Sequence, residues 1–251
     1  MEISIRLTVC LLIGLSAGLM SGMFGIGGGS IRTPLLYFAG FPLLSAFGIN
    51  LLVIPFSSLV GAISHRKNIH WKFTPHMVIG GTLGSITGAF LAGIIPTLSL
   101  AIIFVIVSII TVLGIYLDRI TPTVARKIRP NEKAIIGGTF FLNVLTGMRG
   151  GSGGSLFPPF LRAMRFDMHK AIATSLFATI FTATAGMIIY WQRGDIVLLP
   201  ALSVILGSMS GARLGSLLSI KTKPVWLELG LSIFVIILAF AIVYKALLRE
   251  L

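Results

Sequence analysis

The chain reads Gly22-Met23-Phe24-Gly25-Ile26-Gly27-Gly28-Gly29-Ser30 between two strongly apolar stretches, and the phrase returns 125 residues later as Gly147-Met148-Arg149-Gly150-Gly151-Ser152-Gly153-Gly154-Ser155. Proline follows each copy, as Pro34 and as Pro158-Pro159. Irregular backbone is tolerated in a lipid bilayer only where protein shields it or where it lines a polar cavity. A doubled interruption of apolar helices therefore predicts a membrane transporter with its binding site at the interruptions.

The composition excludes a soluble domain. Of the 251 residues, 55% are hydrophobic and 11% are charged, and the mean hydropathy is +1.00. The stretch from Phe73 to Leu117 contains no Asp, Glu, Lys or Arg. It is long enough for two membrane helices of about 20 residues each, with Gly93 and Pro96 in the hairpin between them. The single cysteine, Cys10, excludes an intrachain disulfide bond.

The protein contains two copies of one unit. Residues 22–75 align without a gap with residues 147–200, and Gly84-Ser85-x-x-Gly88-Ala89 then aligns with Gly207-Ser208-x-x-Gly211-Ala212 after a shift of two. We therefore divide this single membrane domain into repeat 1 (1–117), a basic connecting loop (118–132) and repeat 2 (133–251). The N-terminal stretch looks like a signal peptide, but its internal counterpart in repeat 2 cannot be cleaved.

The predicted fold is all-α, a polytopic membrane protein with about eight transmembrane helices in two four-helix repeats. The predicted spans are 4–22, 43–65, 74–94, 97–117, 134–149, 168–191, 197–219 and 224–247. Each repeat also has a glycine-broken helix and a short apolar segment, 31–40 or 156–165, which reaches only ~15 Å as a helix and is re-entrant or interfacial. An even number of spans per repeat favours parallel repeats. If the short segments also help the chain to cross the membrane, the number per repeat is odd and the repeats are inverted.

In a soluble protein, a net charge of +13 would indicate binding to nucleic acid. In this apolar chain we expect the basic residues to determine the orientation in the membrane, and no nucleic acid partner is expected. With eight spans, one side holds Arg66, Lys67, Lys72, Arg119, Arg126, Lys127, Arg129, Lys133, Arg193, Lys245 and Arg249. The other side holds Arg32, Arg162, Arg165, Lys170, Lys221 and Lys223. This excess places the first side, with both termini, in the cytoplasm.

The glycine motifs have the chemistry of an anion site. Ser30, Thr33 and Ser155 precede proline and are predicted to cap short helices. A helix N-terminus carries partial positive charge and free N–H donors, and glycines let backbone close around an anion. Three successive glycines break a helix, which favours a binding site over close packing. For Gly84/Gly88 and Gly207/Gly211, close helix packing is the favoured interpretation.

Basic side chains within apolar sequence indicate a negatively charged ligand. Arg149 aligns with Phe24, Arg213 with Phe90 and Arg32 with Phe157. An intramembrane arginine is a functional candidate, although it can also extend toward lipid headgroups. Only Asp167 and Glu228 could approach these arginines as carboxylates. The candidate substrate-binding residues are Gly25, Gly27, Gly28, Gly29, Ser30, Arg32, Asn50, Arg149, Gly150, Ser152, Gly153, Gly154, Ser155, Ser175 and Arg213.

Other polar side chains carry weaker expectations. Asn50 and Ser175 are aligned and are predicted to complete the cavity. Hydroxyl groups inside a span often bond their own helix, which is the alternative for Ser57, Ser58, Thr174, Thr179 and Thr182. His65, His70, His76 and His169 show no metal-ligand spacing, and the first two are expected in a solvated loop. No metal or cofactor is expected.

The duplicated motif Gly-x-x-Gly-x-Gly-Gly-Gly, with proline close behind and Asn-Leu-Leu (50–52) or Ser-Leu-Phe (175–177) beyond it, resembles the TauE/SafE family of sulfite and organosulfonate exporters. The resemblance covers nearly the whole chain and implies export of a small sulfur-containing anion, such as sulfite or sulfoacetate, across the bacterial inner membrane. The second motif departs from the pattern at Gly151 and Ser152, which suggests more direct polar contact from this motif.

Two alternatives stay open. One is an intramembrane hydrolase with Ser152 or Ser155 as nucleophile and His169 as base, although no third orienting group is evident. The other is a non-transporting membrane scaffold or assembly factor, which would not need two broken helices and an arginine. The specific anion, the coupling of transport, the conformational state and the oligomeric state, including a homodimer, are open at this stage.

Overall fold

The computed structural model describes residues 3–92 and 130–250, with residues 102, 106, 109, 113, 116 and 120 as isolated positions between them. The predicted hairpin at Gly93 and Pro96, the span 97–117 and most of the loop 118–132 lie outside the described residues. The helices are α1 (Ile3–Phe24), α2 (Gly29–Phe38), α3 (Leu43–Ser64), α4 (Thr74–Leu91), α5 (Glu132–Gly147), α6 (Phe157–Ala163), α7 (Met168–Gln192), α8 (Leu198–Lys221) and α9 (Pro224–Glu250).

The described part of the chain is helical apart from turns and loops, which confirms the all-α prediction. Four helices, α1, α3, α7 and α8, are long and apolar enough to cross a membrane, with mean hydropathies between 1.4 and 2.0. Helices α4 and α5 coincide with two further predicted spans, but they are shorter and rich in glycine and threonine, and α5 also begins with the charged residues Glu132 and Lys133. A total of eight spans stays a prediction.

Glycines allow the closest helix contacts, as predicted for Gly84/Gly88 and Gly207/Gly211. A Cβ atom at Gly84 would collide with the backbone carbonyl of Phe140 on α5, and one at Gly211 would collide with that of Leu15 on α1. Glycine on one helix therefore lets the backbone of its partner approach closely, which is how many membrane helices associate.

We expect Gly84→Ala to lower the thermal unfolding temperature of the purified protein by several degrees. Its Cβ would overlap backbone that cannot rotate away, and overpacking of this kind typically costs about 1–3 kcal/mol. Gly137→Ala is the matched control, because nothing lies within 4 Å of a Cβ at that position. Alanine also has the higher helix propensity. Equal unfolding temperatures for the two variants would contradict the packing assignment.

The pair α1 and α8 runs in parallel. Gly14 faces Val204 toward one end of the pair, and Gly22 faces Ala212 toward the other. The pair α4 and α5 is also parallel, since successive glycines of α4 meet successive turns of α5.

In contrast, α3 runs antiparallel to α7. Gly48, near the start of α3, contacts Asp195 beyond the end of α7, and Gly61 contacts Leu176 near its start. Because α3 and α7 belong to segments that align in sequence, those segments run in opposite directions. The expectation of parallel repeats is therefore wrong, and the arrangement is inverted.

The repeats are inverted because, in each half, the chain passes back through the protein within the glycine-rich segment. Helices α1 and α3 run in the same direction, because Cys10 packs with Ile49 in one cluster and Phe24 packs with Ala62 in another. Residues 25–42 must therefore carry the chain back through the protein. This pass adds a traverse of the protein that counting only long apolar runs does not reveal.

The short helices begin inside the protein. α2 starts at Gly29, after Gly28 in the left-handed region (φ 70°), and ends at exposed Phe38. The predicted caps are wrong: Ser30, Thr33 and Pro34 lie within α2, Ser155 lies in a 3₁₀ turn, and no side chain caps either helix. Glycine replaces a hydroxyl cap because the Gly28 carbonyl itself accepts from the N–H groups of Ile31 and Arg32.

One end of the bundle, which we call the basic end, carries eight basic side chains of the described residues from several different helices and loops. Phe73 contacts Phe166 ahead of α7, and His169 contacts Ser219 near the end of α8. These contacts bring together the neighbouring residues Arg66, Lys67, Lys72, Arg162, Arg165, Lys170, Lys221 and Lys223. The prediction that Lys221 and Lys223 lie opposite Lys72 is therefore wrong, because it assumed an even number of passes.

The histidines expected in a solvated loop are packed against the protein. His65 follows α3 and is 1% exposed, and burial lowers its pKa to about 4. The ring of His70 packs on Phe73 and Phe166, and its backbone N–H donates to Thr174. The two histidines are packed because these contacts fold their part of the loop onto α7, whereas Arg66, Lys67 and Lys72 of the same loop are exposed.

Candidate functional site

The two glycine loops, residues 25–28 and 148–156, meet in the middle of the bundle. A Cβ atom at Gly154 would lie 2.8 Å from the carbonyl oxygen of Ile26 and 3.1 Å from the backbone nitrogen of Gly27. Gly27 also faces Ile54 and Thr179, which lie midway along α3 and α7. The loops are shielded by protein, as irregular backbone in a membrane must be, and they share the common interface that the repeat predicts.

Each loop is held by a side chain from the other half. The amide of Asn50 on α3 donates to the Gly150 carbonyl at 2.7 Å, and the hydroxyl of Ser175 on α7 donates to the Gly25 carbonyl at 2.8 Å. Asn50 aligns with Ser175, and Gly25 aligns with Gly150, so the two contacts are related by the repeat. These side chains, which the sequence predicted to complete a cavity, hold the two loops in place.

We expect Asn50→Ala to destabilise the protein more than Ser175→Ala. Ser175 makes one hydrogen bond, whose loss with a buried carbonyl left behind costs about 1–3 kcal/mol. Asn50 also accepts from Arg32 at 2.6 Å, so its removal strips a partner from a buried charge. Thermal unfolding of the two purified variants measures the order, and a smaller loss for Asn50→Ala would contradict it.

Arg32 brings an uncompensated positive charge to the first loop. Its side chain is fully buried, and it donates to Asn50 and, at 3.0 Å, to the hydroxyl of Ser208 on α8. Its Nε has no acceptor in the described part of the chain. A Cβ at Gly28 would lie 2.9 Å from its Nη2 atom. The guanidinium therefore lies directly beside the glycine backbone.

The described carboxylates lie elsewhere. Glu228 pairs with Arg162 at 2.7 Å, and Asp195 pairs with Arg193 at 3.2 Å. No ion pair of Arg32 with a carboxylate is present among the described residues. A buried arginine whose partners are neutral favours an anionic guest, and its planar N–H groups suit an oxyanion.

The first loop has more free donors than the second. Among the described residues, the backbone N–H groups of 26–30 donate to no protein acceptor. In the second loop, Gly150 and Gly151 donate to the carbonyls of Gly147 and Thr146 at the end of α5, and Gly153 donates to Asn143 at 2.6 Å. The expectation that the second motif offers more polar contact does not fit this pattern, because much of its backbone is already satisfied.

We call the point where the two glycine loops meet the crossing. Two buried hydroxyl groups beside it have no partner in the described structure. Ser152 is 5% exposed and Thr179 is fully buried, and neither side-chain oxygen has a hydrogen-bond partner. Ser57 and Thr182, by contrast, bond carbonyls of their own helices, as expected. Buried polar groups are normally satisfied, so two unpartnered hydroxyls at one place indicate a polar site.

A profile of the family described as "Sulfite exporter TauE/SafE" matches residues 10–242. The chain belongs to the TauE/SafE family. It is 25% identical over 269 residues to the probable membrane transporter protein YunE of Bacillus subtilis, covering 94% of this chain and 97% of the relative. It is 26% identical over 267 residues to a probable membrane transporter protein of Haemophilus influenzae, covering 94% and 98%.

The TauE/SafE protein is therefore a multi-pass membrane transporter of a family whose relatives carry transporter names. No solved structure matches it. A hydrolytic pair is not formed among the described residues, since His169 contacts the Ser219 carbonyl at the basic end while Ser152 lies at the crossing without a partner.

Not every candidate residue of this TauE/SafE protein lies at the crossing. Arg149 lies where the second loop leaves α5 and is half-buried. Arg213 is exposed on α8 and donates to Ser64 at 2.9 Å, away from the loops. The residues that the structure brings to the loops are Gly25, Gly27, Gly28, Gly29, Ser30, Arg32, Asn50, Gly150, Ser152, Gly153, Gly154, Ser155 and Ser175.

Sequence reasoning missed two residues of this site. Asn143 holds the second loop through Gly153, and Ser208 joins Arg32 to α1 by donating to the Gly14 carbonyl at 2.9 Å. Asn143 could have been found as a polar residue within an apolar span. Ser208 lies in a small-residue motif that indicates packing, so its bond to Arg32 had no sequence signal.

Proposed function

We propose that this transporter exports small sulfur-containing oxyanions, such as sulfite or sulfoacetate, and holds them at the crossing of the two loops. The observation that carries the proposal is the buried guanidinium of Arg32 beside glycine backbone with free N–H groups. Ser152 and Thr179 supply further unpartnered hydroxyls. Arg149 contributes a second cation where the second loop begins.

Inverted repeats suit alternating access to such a site. Transporters of this architecture hold the substrate near the bilayer midplane and rock one unit against the other. The reciprocal contacts of Asn50 and Ser175 would keep the loops together during this motion. Both loops then stay on the substrate while the surrounding helices open toward one face or the other.

We propose that the basic end faces the cytoplasm and that both termini lie on the opposite, extracytoplasmic side. Basic loops are retained in the cytoplasm. Arg6 near the N-terminus packs on Phe41 at the opposite end, whereas α9 starts at the basic end, where Glu228 binds Arg162, and runs away from it. This reverses the sequence-based orientation. The basic end would also attract anions from the cytoplasm.

A C-terminal reporter fusion tests this orientation in the inner membrane of a bacterial host. We expect a C-terminal alkaline phosphatase fusion to be active, because that enzyme matures only outside the cytoplasm, and a matched green fluorescent protein fusion to be dark. A fluorescent, phosphatase-inactive fusion would place the C-terminus inside and would overturn the proposed orientation.

The electrical gradient favours this direction of transport. Cell interiors are negative, and moving one charge across 100 mV is worth about 2.3 kcal/mol. No buried Asp or Glu lies at the loops among the described residues that could relay a coupling proton or sodium ion. We propose potential-assisted efflux without obligatory cation coupling.

A thermal-shift panel tests the substrate class. A ligand that binds the native state raises the unfolding temperature by mass action. We expect sulfite and sulfoacetate to stabilise the purified protein at concentrations where acetate and phosphate do not. Stabilisation by carboxylates or phosphate alone would reassign the substrate, and no response to any anion would favour the scaffold alternative.

A further inference from the structure

Arg213 lies on a face of α8 that is otherwise apolar and exposed. Its neighbours Leu214 and Leu217 are 51% and 42% exposed, and the whole segment belongs to the span Leu198–Lys221. The aligned residue of the first half is Phe90, which is 65% exposed. One half of the protein therefore presents a cation to the lipid where the other presents an aromatic ring.

The Arg213 side chain is directed toward the basic end. It donates at 2.9 Å to Ser64, the last residue of α3, and Ser64 in turn donates to the Val60 carbonyl. Arg66 and Lys67 follow directly and are exposed. Arg213 therefore reaches the end of α3, and two further exposed cations lie two and three residues beyond Ser64 in the chain.

No carboxylate pairs with Arg213 in the described part of the chain. Guanidinium has five N–H donors, and Ser64 accepts from one of its nitrogen atoms. A guanidinium exposed to hydrocarbon is unfavourable unless an anion or water satisfies it. Ser64 is the last residue of the candidate span Leu44–Ser64, and the anion found where a membrane span ends is the phosphate of a lipid headgroup.

We propose that Arg213, with Ser64, Arg66 and Lys67, forms a binding site for the phosphate of an anionic lipid such as phosphatidylglycerol. Basic pockets between membrane helices are known to hold anionic headgroups, and guanidinium binds phosphate through paired N–H donors. The site is separate from the glycine loops and does not depend on the proposed substrate.

Native mass spectrometry and thermal unfolding test this site on the full chain purified in detergent with added phosphatidylglycerol or phosphatidylcholine. We expect phosphatidylglycerol to bind and to raise the unfolding temperature, with phosphatidylcholine much weaker. Arg213→Phe, which installs the residue of the aligned position, should lose one bound phosphatidylglycerol and most of the stabilisation. Lys133→Gln, which removes an exposed cation on α5 outside the proposed site, should keep both.

Equal phosphatidylglycerol binding by Arg213→Phe and the unchanged protein would overturn the proposal. Stabilisation by inorganic phosphate that is lost in Arg213→Phe would overturn the lipid assignment, because it would show a free-anion site. Should Arg213→Phe fail to fold, Arg213→Lys keeps the test open. It should retain phosphatidylglycerol binding at reduced affinity, and unchanged affinity would contradict a role for the guanidinium.

Discussion

Arg32→Gln should lower the affinity for sulfite by about 100-fold or more, which corresponds to about 2.7 kcal/mol of binding free energy. Removing one partner from a desolvated charge pair typically costs 2–5 kcal/mol. Glutamine can still donate toward Asn50 or Ser208, so much of the local packing is preserved while the charge is lost. Isothermal titration of the purified variant with sulfite measures the effect.

The matched control is Ser208→Ala, which removes a hydrogen bond to Arg32 but keeps the charge. We expect it to bind sulfite within about 10-fold of the unchanged protein, the cost of about one hydrogen bond. Arg149→Ala provides a second comparison, because it removes the cation at the start of the second loop, which we propose also attracts the anion, and it should also lose affinity. Unchanged sulfite binding by Arg32→Gln would remove Arg32 from the site.

Gly154→Ala should abolish sulfite transport. The new Cβ would lie 2.8 Å from the Ile26 carbonyl oxygen and 3.1 Å from the Gly27 nitrogen, and both are backbone atoms that cannot rotate aside. The two loops would have to separate, and the donors around the anion would lose their spacing. Sulfite efflux from proteoliposomes measures the loss directly.

Gly151→Ala, in the same loop, is the control. Its Cβ would meet the Thr146 carbonyl no closer than 3.3 Å, and Gly151 does not have a positive φ angle. We expect this variant to transport sulfite at close to the unchanged rate. Efflux retained by Gly154→Ala would mean that the contact between the loops is not needed for transport.

The broad architecture could be predicted from the sequence because hydropathy and glycine spacing are local signals. The interrupted helices, the short segments and the meeting of the loops all follow from the duplicated phrase. The glycine contacts of α4 and α8 follow from the spacing of small residues, because in membrane proteins this spacing usually indicates closely packed helices.

The direction of the repeats could not be predicted in the same way. The return pass through residues 25–42 contains only a short helix. It has no long apolar run, and a prediction that counts such runs therefore misses it. That one pass changes the relative orientation of the halves and the side on which Lys221 lies. Orientation therefore depends on tertiary contacts such as those of Gly48 with Asp195, beyond the end of α7, and of Gly61 with Leu176 near its start.

The roles of the polar residues also required the structure. Arg149 is conspicuous in sequence because it lies inside the glycine phrase, yet Arg32 is the fully buried arginine beside the loops. Asn50 and Ser175 were identified as a pair, but their function of bonding the opposite loop depends on which carbonyl each one reaches. Sequence identifies such residues, and distances between helices assign their partners.

Voltage-driven sulfite flux from proteoliposomes tests the central claim most directly. Vesicles loaded with sulfite are given an inside-negative potential, with the unchanged protein, Gly151→Ala and Arg32→Gln compared at equal protein content. We predict that the potential accelerates efflux through the first two and not through Arg32→Gln, and that a pH gradient alone has no effect. Efflux that follows the pH gradient instead of the potential, or that persists unchanged in Arg32→Gln, would contradict the account.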